Sequence, residues 1–382
     1  MSRRWNTFAW SVLAFVFIAM SVYLVMNPTR TGVVVNYRFS STNWWAGLPI
    51  YGSGTGGFLY FPQFAVAFTP FNLVRPEILG ELFWRTFGFG LFGWVLWKLA
   101  QIKQLSGRLR SAPPIFLPIV LLAVPASLAS LSNGQTNLPL SATLVLTVLA
   151  LRSQDWITAS LWIFLAVILK PISVAPWLLV FAVFPAMRKP LLIGVLPMAA
   201  LGFAHPDFHY AWDRWVKCLE KILHAYTPEN LRVSDIFGAI SRAGVGIPPL
   251  MEKGVRAAAS MGALAWVWQS YQTKGLAGAS WALWVATALV FTLFNPRAET
   301  NSYVLISPLL AFAAVSYWRE GEGDKWKGWV LAAACIALMC DGMGLWIYKA
   351  TDVWFKPLIV LLASPLLFRM PRQWEVKLRD ST

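Results

Sequence analysis

The sequence has 382 residues, of which 57% are hydrophobic and 13% charged, and its mean hydropathy is +0.57. A soluble protein has too little interior to bury that much apolar surface, so the composition excludes a water-soluble globular domain and predicts a polytopic membrane protein. The formal net charge of +15 must then be assigned to the two sides of a membrane, and it does not indicate a nucleic-acid partner.

Apolar blocks account for most of the chain. The first follows Ser2-Arg3-Arg4, but its core is long and no small-residue cleavage site ends it, so we expect a retained transmembrane helix and not a signal peptide. The blocks that we predict to cross a hydrocarbon core of about 30 Å are residues 9–26, 78–99, 115–131, 138–151, 157–169, 172–186, 191–204, 255–271, 279–294, 303–318, 328–347 and 355–368. The sequence therefore predicts an all-α protein with about 12 transmembrane helices in a single integral membrane domain, residues 1–382.

The basic residues set the predicted orientation. With the amino terminus inside, the short inside loops are basic, as the positive-inside rule requires, and residues 369–382 form a cytoplasmic tail. Two long loops, residues 27–77 and 205–254, then lie on the outer face. Both contain several lysines or arginines, against the topological bias, which indicates either an anionic partner or a solvated loop surface.

The first outer loop has a glycine-rich turn, residues 52–57, followed by an aromatic segment punctuated by prolines. This segment is too irregular to span cleanly, so we predict a re-entrant or interfacial segment whose backbone is covered by protein or lines a cavity.

The second outer loop contains "YAWDRWVKCLEKILHAY", with apolar residues at spacings of three and four. This pattern predicts an amphipathic helix lying on the membrane surface. All three histidines fall in this loop, but "HPDFH" is weak evidence for a metal fragment, and the three cysteines lie apart. We predict no metal site, although the sequence does not exclude a divalent metal.

Charged groups at membrane depth are costly and usually functional or paired. Arg85 and Asp341 lie inside apolar blocks, and a hydrogen bond within the helix bundle is the favoured interpretation of Asp341. A second group of polar residues converges on the outer membrane boundary in the predicted topology: Asn133, Gln135, Asn137, Lys170, Arg297, Glu299 and Asn301. We predict a functional site there; the alternative is an Arg297–Glu299 ion pair that only ties two helices together.

A cationic, partly desolvated pocket at the outer leaflet suits the phosphate of a lipid better than a soluble metabolite. Arginine and lysine side chains would hold the phosphate, and a carboxylate beside them would take a proton from an incoming hydroxyl.

The order of the motifs resembles glycosyltransferase family 87, whose members are membrane mannosyltransferases of the GT-C fold. The motifs are "WWAGLPIY", "GFLYFPQFAVAFTPF", "NGQTNLPL", "ASLWIFLAVILKP", "YTPENLRVSDIFGAISR" and "FNPRAETNSYVLISP". The resemblance implies a GT-C-like bundle, a polyprenyl-phosphate-linked sugar donor, typically mannose, and no nucleotide sugar at the active site. It also implies inverting transfer to a glycolipid or glycan acceptor on the outer face of the cell inner membrane. We predict no cofactor.

The family motifs also suggest site residues. The family's glycine-glutamine-asparagine motif falls on Gly134, Gln135 and Asn137, and its lysine-proline motif falls on Lys170 and Pro171. The tyrosine-proline pair of the first loop becomes Phe61 and Pro62, with Tyr60 just before. The residues predicted to bind substrate are Tyr60, Gln135, Asn137, Asn230 and Asn301.

One departure concerns the general base. GT-C enzymes generally use an acidic residue in the first outer loop, but residues 27–76 contain no Asp or Glu, and "VVVNYRF" stands where that acid is expected. We predict that Glu299 replaces it, and that Arg297, Lys170 and Arg38 stabilise the departing polyprenyl phosphate. Two alternatives stay open: a transporter of lipid-linked sugar, and a catalytically inactive relative that binds such a lipid.

Overall fold

The computed structural model describes residues 2–27, 32–102, 115–224, 233–351 and 353–375. Within these ranges the chain is helical and has no β-strand, which confirms the all-α prediction. The α-helices are α1 (Ser2–Met26), α2 (Val34–Trp45), α3 (Pro62–Ala67), α4 (Thr69–Leu73), α5 (Glu77–Ala100), α6 (Phe116–Ala123), α7 (Leu128–Asn133), α8 (Asn137–Arg152), α9 (Trp156–Leu169), α10 (Val174–Val183), α11 (Arg188–Gly202), α12 (Phe208–His224), α13 (Ile236–Arg242), α14 (Pro249–Leu289), α15 (Ser307–Tyr317), α16 (Lys325–Ala337), α17 (Leu345–Thr351), α18 (Phe355–Ala363) and α19 (Arg372–Glu375).

Helix α8 is the central element of the bundle, and 15 of its 16 residues are buried. It packs against α5, α9 and α14. Its buried hydroxyl groups are satisfied without water, because Thr143 and Thr147 donate hydrogen bonds to carbonyls of the preceding turn and Ser141 donates to the carbonyl of Val304. Polar side chains can therefore occupy the core of this apolar protein.

Few helices of the described residues are long and apolar enough to cross a membrane on their own. Two helical segments, Arg4–Met26 and Pro249–Phe294, are long and apolar enough to cross a membrane. Three bent pairs pass the same test together: Phe116–Ala123 with Pro125–Asn133, Pro171–Val183 with Pro185–Gly202, and Leu345–Thr351 with Phe355–Leu367. The described residues thus give two spans, or up to five if each pair counts as one, and the prediction of about 12 is not confirmed.

Proline and glycine explain part of this difference. The first two bent pairs break at Pro125 and Pro185, because proline lacks the backbone donor that a continuous helix needs. The two predicted blocks 255–271 and 279–294 lie in one helical segment, Pro249–Phe294. This segment is kinked between the blocks at Gly275, which has φ 62° and ψ −156°. Apolar blocks that look like separate spans in the sequence are thus joined or bent in the structure.

The first long loop is folded onto the bundle through α2, α3 and α4. Its aromatic side chains form a buried cluster with Trp84 of α5, in which Tyr37 contacts Phe64 and Phe68 edge-to-face. Pro62 begins α3 at a position that needs no backbone donor. The irregular segment thus forms short helices that pack on protein, and its position at the membrane surface stays a prediction.

The second long loop contains helix α12, which covers the segment predicted to be amphipathic. Ala211, Cys218 and Lys221 are buried on one side of this helix, while Phe208, Trp212 and Leu223 are exposed on the other. An exposed apolar face on a surface helix suits a lipid interface.

The described part of the predicted tail, residues 369–375, packs into the bundle. Trp374 of α19 is fully buried against Trp281, Trp284 and Phe312, and the guanidinium of Arg152 lies 4.8 Å from its ring centroid. Residues 376–382 lie outside the described residues.

Candidate functional site

A left-handed turn at Gly134 begins the site. The residue has φ 64° and ψ 28° where α7 ends, and a Cβ atom there would lie 2.3 Å from Cγ2 of Val34. Glycine is therefore required both by the backbone conformation and by the space. Trp84 Nε1 donates a hydrogen bond of 2.8 Å to the carbonyl of Gly134 and fixes the turn against α5.

Arg85 supports the same turn from α5. Its Nη1 pairs with Glu81 Oε2 at 3.0 Å, and its Nε donates to the carbonyl of Leu131 at 3.2 Å. Arg85, which sequence analysis placed inside an apolar block, is therefore paired and orders the end of α7. This is the behaviour expected of a buried charge.

The amides that follow Gly134 connect to Lys170. Lys170 Nζ donates to Asn137 Oδ1 at 2.8 Å, and Asn137 Nδ2 donates to Gln135 Oε1 at 2.6 Å. Lys170 lies at the C-terminus of α9, next to Pro171, whereas Asn137 begins α8. Two predicted motifs separated by more than 30 residues are thus joined by direct hydrogen bonds.

Glu299 completes this network from a different part of the chain. Its Oε2 accepts a hydrogen bond of 2.9 Å from Gln135 Nε2 and one of 3.1 Å from Asn301 Nδ2. Asn301 Oδ1 in turn accepts from Asn137 Nδ2 at 3.2 Å. We call these five residues, Lys170, Asn137, Gln135, Asn301 and Glu299, the polar network.

Part of the polar network faces a cavity of about 630 Å³. Gln135, Lys170 and Glu299 line it, together with Tyr60 and Arg297. The remaining walls come from α2, the glycine-rich turn and the residues after it, α12, the start of α10 with the residues before it, and the residues before Arg297. These lining residues are Val33, Asn36, Tyr37, Gly56, Gly57, Leu59, Phe61, Pro171, Ile172, Val174, Leu219, Ile222, Asn295 and Pro296. The cavity has a polar wall of opposite charges and an otherwise apolar and aromatic surface.

Asn137 and Asn301 lie behind this wall and do not line the cavity. Asn137 has no exposed surface, and Asn301 is 7% exposed. The amide groups of both residues form hydrogen bonds within the polar network. Asn137 and Asn301 therefore support the cavity wall, whereas sequence analysis predicted that they contact the substrate directly.

Two cations face the cavity under partial desolvation. Burial lowers the pKa of Lys170, the Glu299 carboxylate opposes this by raising it, and Arg297 lowers it. Burial also lowers the pKa of Arg297, and Glu299 again opposes the shift. Each cation is thus disfavoured in its charged form by burial, and a bound anion would relieve that cost.

Tyr60 lines the cavity, and its hydroxyl group lies against two neighbouring hydroxyls. Its Oη lies 2.7 Å from Tyr37 Oη and 3.4 Å from Thr136 Oγ1. Burial raises the pKa of Tyr60, and its hydrogen bonds with Thr136 and Tyr37 lower it. The hydroxyl is therefore held in place, as a group that orients a substrate must be.

Arg38 is a predicted site residue that does not line the cavity. Arg38 Nη2 pairs with Glu77 Oε1 at 2.6 Å, and its Nη1 lies 3.9 Å from Glu81 Oε1. Its charge is therefore engaged by two carboxylates of α5. Asn230 lies outside the described residues.

Lys221 is a site residue that sequence analysis did not single out. Its Nζ donates to the carbonyl of Gly52 at 2.8 Å and to that of Gly54, so it holds the glycine-rich turn against α12. Burial lowers the pKa of Lys221, and Arg297 lowers it as well. In the sequence, only the three-residue spacing between Cys218 and Lys221 indicates that this lysine shares a face of α12 with a small residue.

A second cavity of about 430 Å³ is almost entirely apolar. It lies between α10, α14 and the π-helical turn Val290–Phe294, and Ala175 and Pro176 in its wall directly follow Val174 of the first cavity. The two cavities are thus both lined by residues of α10. Among the described residues, no group of three or more His, Cys, Asp or Glu side chains could hold a metal ion.

Comparison with known proteins gives a family match. The model of glycosyltransferase family 87 matches residues 58–296, which is more than half of the chain. The match includes Tyr60, Gln135, Asn137 and Lys170, and it ends just before Arg297. No curated protein and no solved structure gives a significant match. The chain therefore belongs to glycosyltransferase family 87.

Proposed function

We propose that this membrane glycosyltransferase transfers a hexose, mannose by its family resemblance, from a polyprenyl-phosphate donor. The acceptor would be a glycolipid or glycan of the cell envelope, on the outer face of the inner membrane, with inversion at the anomeric carbon. The observation that carries the proposal is the polar network, which connects a lysine and a carboxylate on one wall of the cavity.

The chemistry assigns different roles to these groups. Glu299 takes the proton of the acceptor hydroxyl while the acceptor oxygen bonds to the anomeric carbon. The bond between that carbon and the phosphate oxygen breaks, and the polyprenyl phosphate leaves with the electron pair. Lys170 and Arg297 stabilise the charge that develops on the leaving phosphate. A single displacement of this kind needs one carboxylate and no covalent sugar intermediate.

The surroundings of the site support a lipid-linked donor. The apolar cavity between α10 and α14 shares α10 with the polar one and has walls suited to an isoprenoid chain. A nucleotide sugar would gain nothing from that apolar space. The proposal does not include Arg38, because Glu77 and Glu81 engage its charge.

Replacement of the carboxylate tests the proposed base. Glu299→Gln keeps the shape and one oxygen acceptor for Gln135 and Asn301, but removes the basic group. Since a positioned base contributes about 10²–10⁴-fold, transfer from polyprenyl-phosphate mannose by the purified protein should fall by at least about 100-fold. Glu220→Gln, which changes an exposed carboxylate of α12, is the matched control. Transfer by Glu299→Gln at the wild-type rate would rule Glu299 out as the base.

The lack of an acidic residue in the first loop favours one alternative, an inactive protein that binds lipid-linked sugar. Asn36 lines the cavity as a neutral amide in the segment where an acid was expected. If wild type binds the donor but transfers nothing, and Asn36→Asp then starts transfer, the binding function is correct. If wild type transfers sugar, and if Asn36→Asp introduced into the Glu299→Gln variant restores part of the activity, then a carboxylate at either position can act as the base.

A further inference from the structure

Residues 294–300, which we call the 294–300 loop, connect the π-helical turn Val290–Phe294 to the 3₁₀ turn Thr300–Leu305 and carry both Arg297 and Glu299. Residues 295–299 have no helical structure of their own. A loop can hold a carboxylate at a reacting atom only if its main chain is fixed by surrounding elements. The 294–300 loop is held by hydrogen bonds that other helices donate to its carbonyl groups.

An ion pair holds the first end of the loop. Arg256 of α14 donates from Nη1 to the carbonyl of Phe294, and its Nη2 lies 2.7 Å from Asp235 Oδ2. The Asp235 side chain has no exposed surface and also caps α13 by accepting from Gly238 N at 2.7 Å. The Arg256 guanidinium lies 4.5 Å from the ring centroid of Phe237. The Asp235 carboxylate is thus held by both Arg256 and the start of α13, and the Arg256 guanidinium is directed at the loop.

A second ion pair holds the other end. Lys356 of α18 donates from Nζ to the carbonyl of Thr300 at 2.8 Å and lies 2.9 Å from Asp341 Oδ1. The side chains of Lys356 and Asp341 are 1% and 9% exposed. Asp341, which sequence analysis assigned to a bundle hydrogen bond, is therefore the counter-ion of a lysine that contacts the site loop.

Further donors hold the loop between and beyond these ends. Ser234 N donates to the carbonyl of Ala298 at 2.7 Å, and Ser130 Oγ donates to that of Asn301 at 2.7 Å. Tyr303 Oη donates to the carbonyl of Ser234 at 2.9 Å. Donors from four parts of the chain therefore converge on the backbone of residues 294–301: Arg256, Lys356, Ser234 and Ser130.

Stability alone does not account for the two ion pairs. Replacement of a buried ion pair by apolar residues is often neutral or stabilising, because desolvation offsets the attraction between the charges. What the pairs have in common is their target, since each cation donates to a main-chain carbonyl at one end of the 294–300 loop.

We propose that Arg256 and Lys356, each held by its carboxylate partner, are positioning residues that set the location of Glu299 and Arg297. The proposal rests on the proposed transfer function. Loss of either cation frees one end of the loop and moves the carboxylate away from the acceptor hydroxyl. Such a displacement lowers the turnover rate more than the affinity for the donor.

The test uses the full-length protein with polyprenyl-phosphate mannose and an envelope glycolipid fraction. Lys356→Met should lower kcat by about 100-fold, the cost of a misplacement of about 1 Å, with little change in the KM for the donor. Hydrogen–deuterium exchange should rise in peptides that cover residues 294–304. Lys356→Arg, which retains a charged donor, should recover part of the rate. The matched control is Lys327→Met, which breaks the Lys327–Asp324 ion pair away from this loop.

A second variant covers the case in which Lys356→Met fails to fold. Lys356→Met with Asp341→Leu leaves no unpaired charge, and it should show the same loss of kcat and the same increase in exchange. Wild-type kcat in either folded variant would overturn the proposal, as would unchanged exchange in residues 294–304. If the wild-type protein transfers no sugar while exchange still rises only in the Lys356 variants, the transfer function fails and the anchoring of the loop stands.

Discussion

Replacement of Lys170 by methionine separates the electrostatic role of the site from its structural role. Methionine retains most of the apolar length of lysine but removes the ammonium group, which donates to Asn137 Oδ1 at 2.8 Å. Asn137 is fully buried, and a buried acceptor without a partner costs about 1–3 kcal/mol. The variant no longer has to desolvate a buried ammonium, so we expect the net loss in the free energy of unfolding to lie at the lower end of that range.

The effect on transfer should be larger than the effect on stability. Removal of one donor to a developing anionic charge costs about 10²–10³-fold in kcat, so we expect a rate loss of that size for Lys170→Met. The assay is transfer of radiolabelled mannose from its polyprenyl phosphate, with thermal unfolding measured on the same preparation. Lys349→Met, which removes an exposed lysine of α17, is the control. Wild-type kcat in folded Lys170→Met would refute the assignment of Lys170 to the phosphate.

Three further predictions concern the turn, the pH dependence and the topology. Gly134→Ala should lower the melting temperature more than Gly47→Ala, because both residues have positive φ but only the Cβ at position 134 would clash, with Val34; equal losses would contradict this. Transfer should decline as pH rises through the pKa of Lys170, which burial sets below the ordinary 10.5, since only the charged form holds phosphate; an alkaline limit unchanged in Lys170→Met would contradict it. A cysteine at Thr55 should react with an impermeant reagent from outside, because residue 55 lies in the first predicted outer loop. The three native cysteines are buried and should add little background; protection of residue 55 would invert the topology.

Much of the polar network could be predicted from the sequence, because each member is a polar residue where a hydrophobic one is expected. Gln135, Lys170 and Glu299 stand next to apolar blocks, and that contrast needs no structure to be noticed. Whether such a residue faces a substrate or supports its neighbour depends on distances across the bundle. Asn137 and Asn301 could not be distinguished from Gln135 for that reason.

Other features depend on partners that are remote in sequence. The engagement of Arg38 by Glu77 and Glu81 follows from the packing of α2 beside α5, and a loop cation looks available until that packing is known. The predicted number of spans is not confirmed, because hydropathy reports the composition of a segment and not the direction of its helix. It does not reveal that α14 is kinked at Gly275 or that the chain bends at Pro185.

The polar network has only one way to make its hydrogen bonds. Lys170 at one end can only donate, and the carboxylate of Glu299 at the other end can only accept. The orientation of every amide between them follows: Asn137 must turn its oxygen to the lysine, and Gln135 and Asn301 must turn their nitrogens to the carboxylate. Three side chains that could each flip by 180° are thereby held in one state, so the two charged ends make the wall of the cavity rigid without hydrophobic packing.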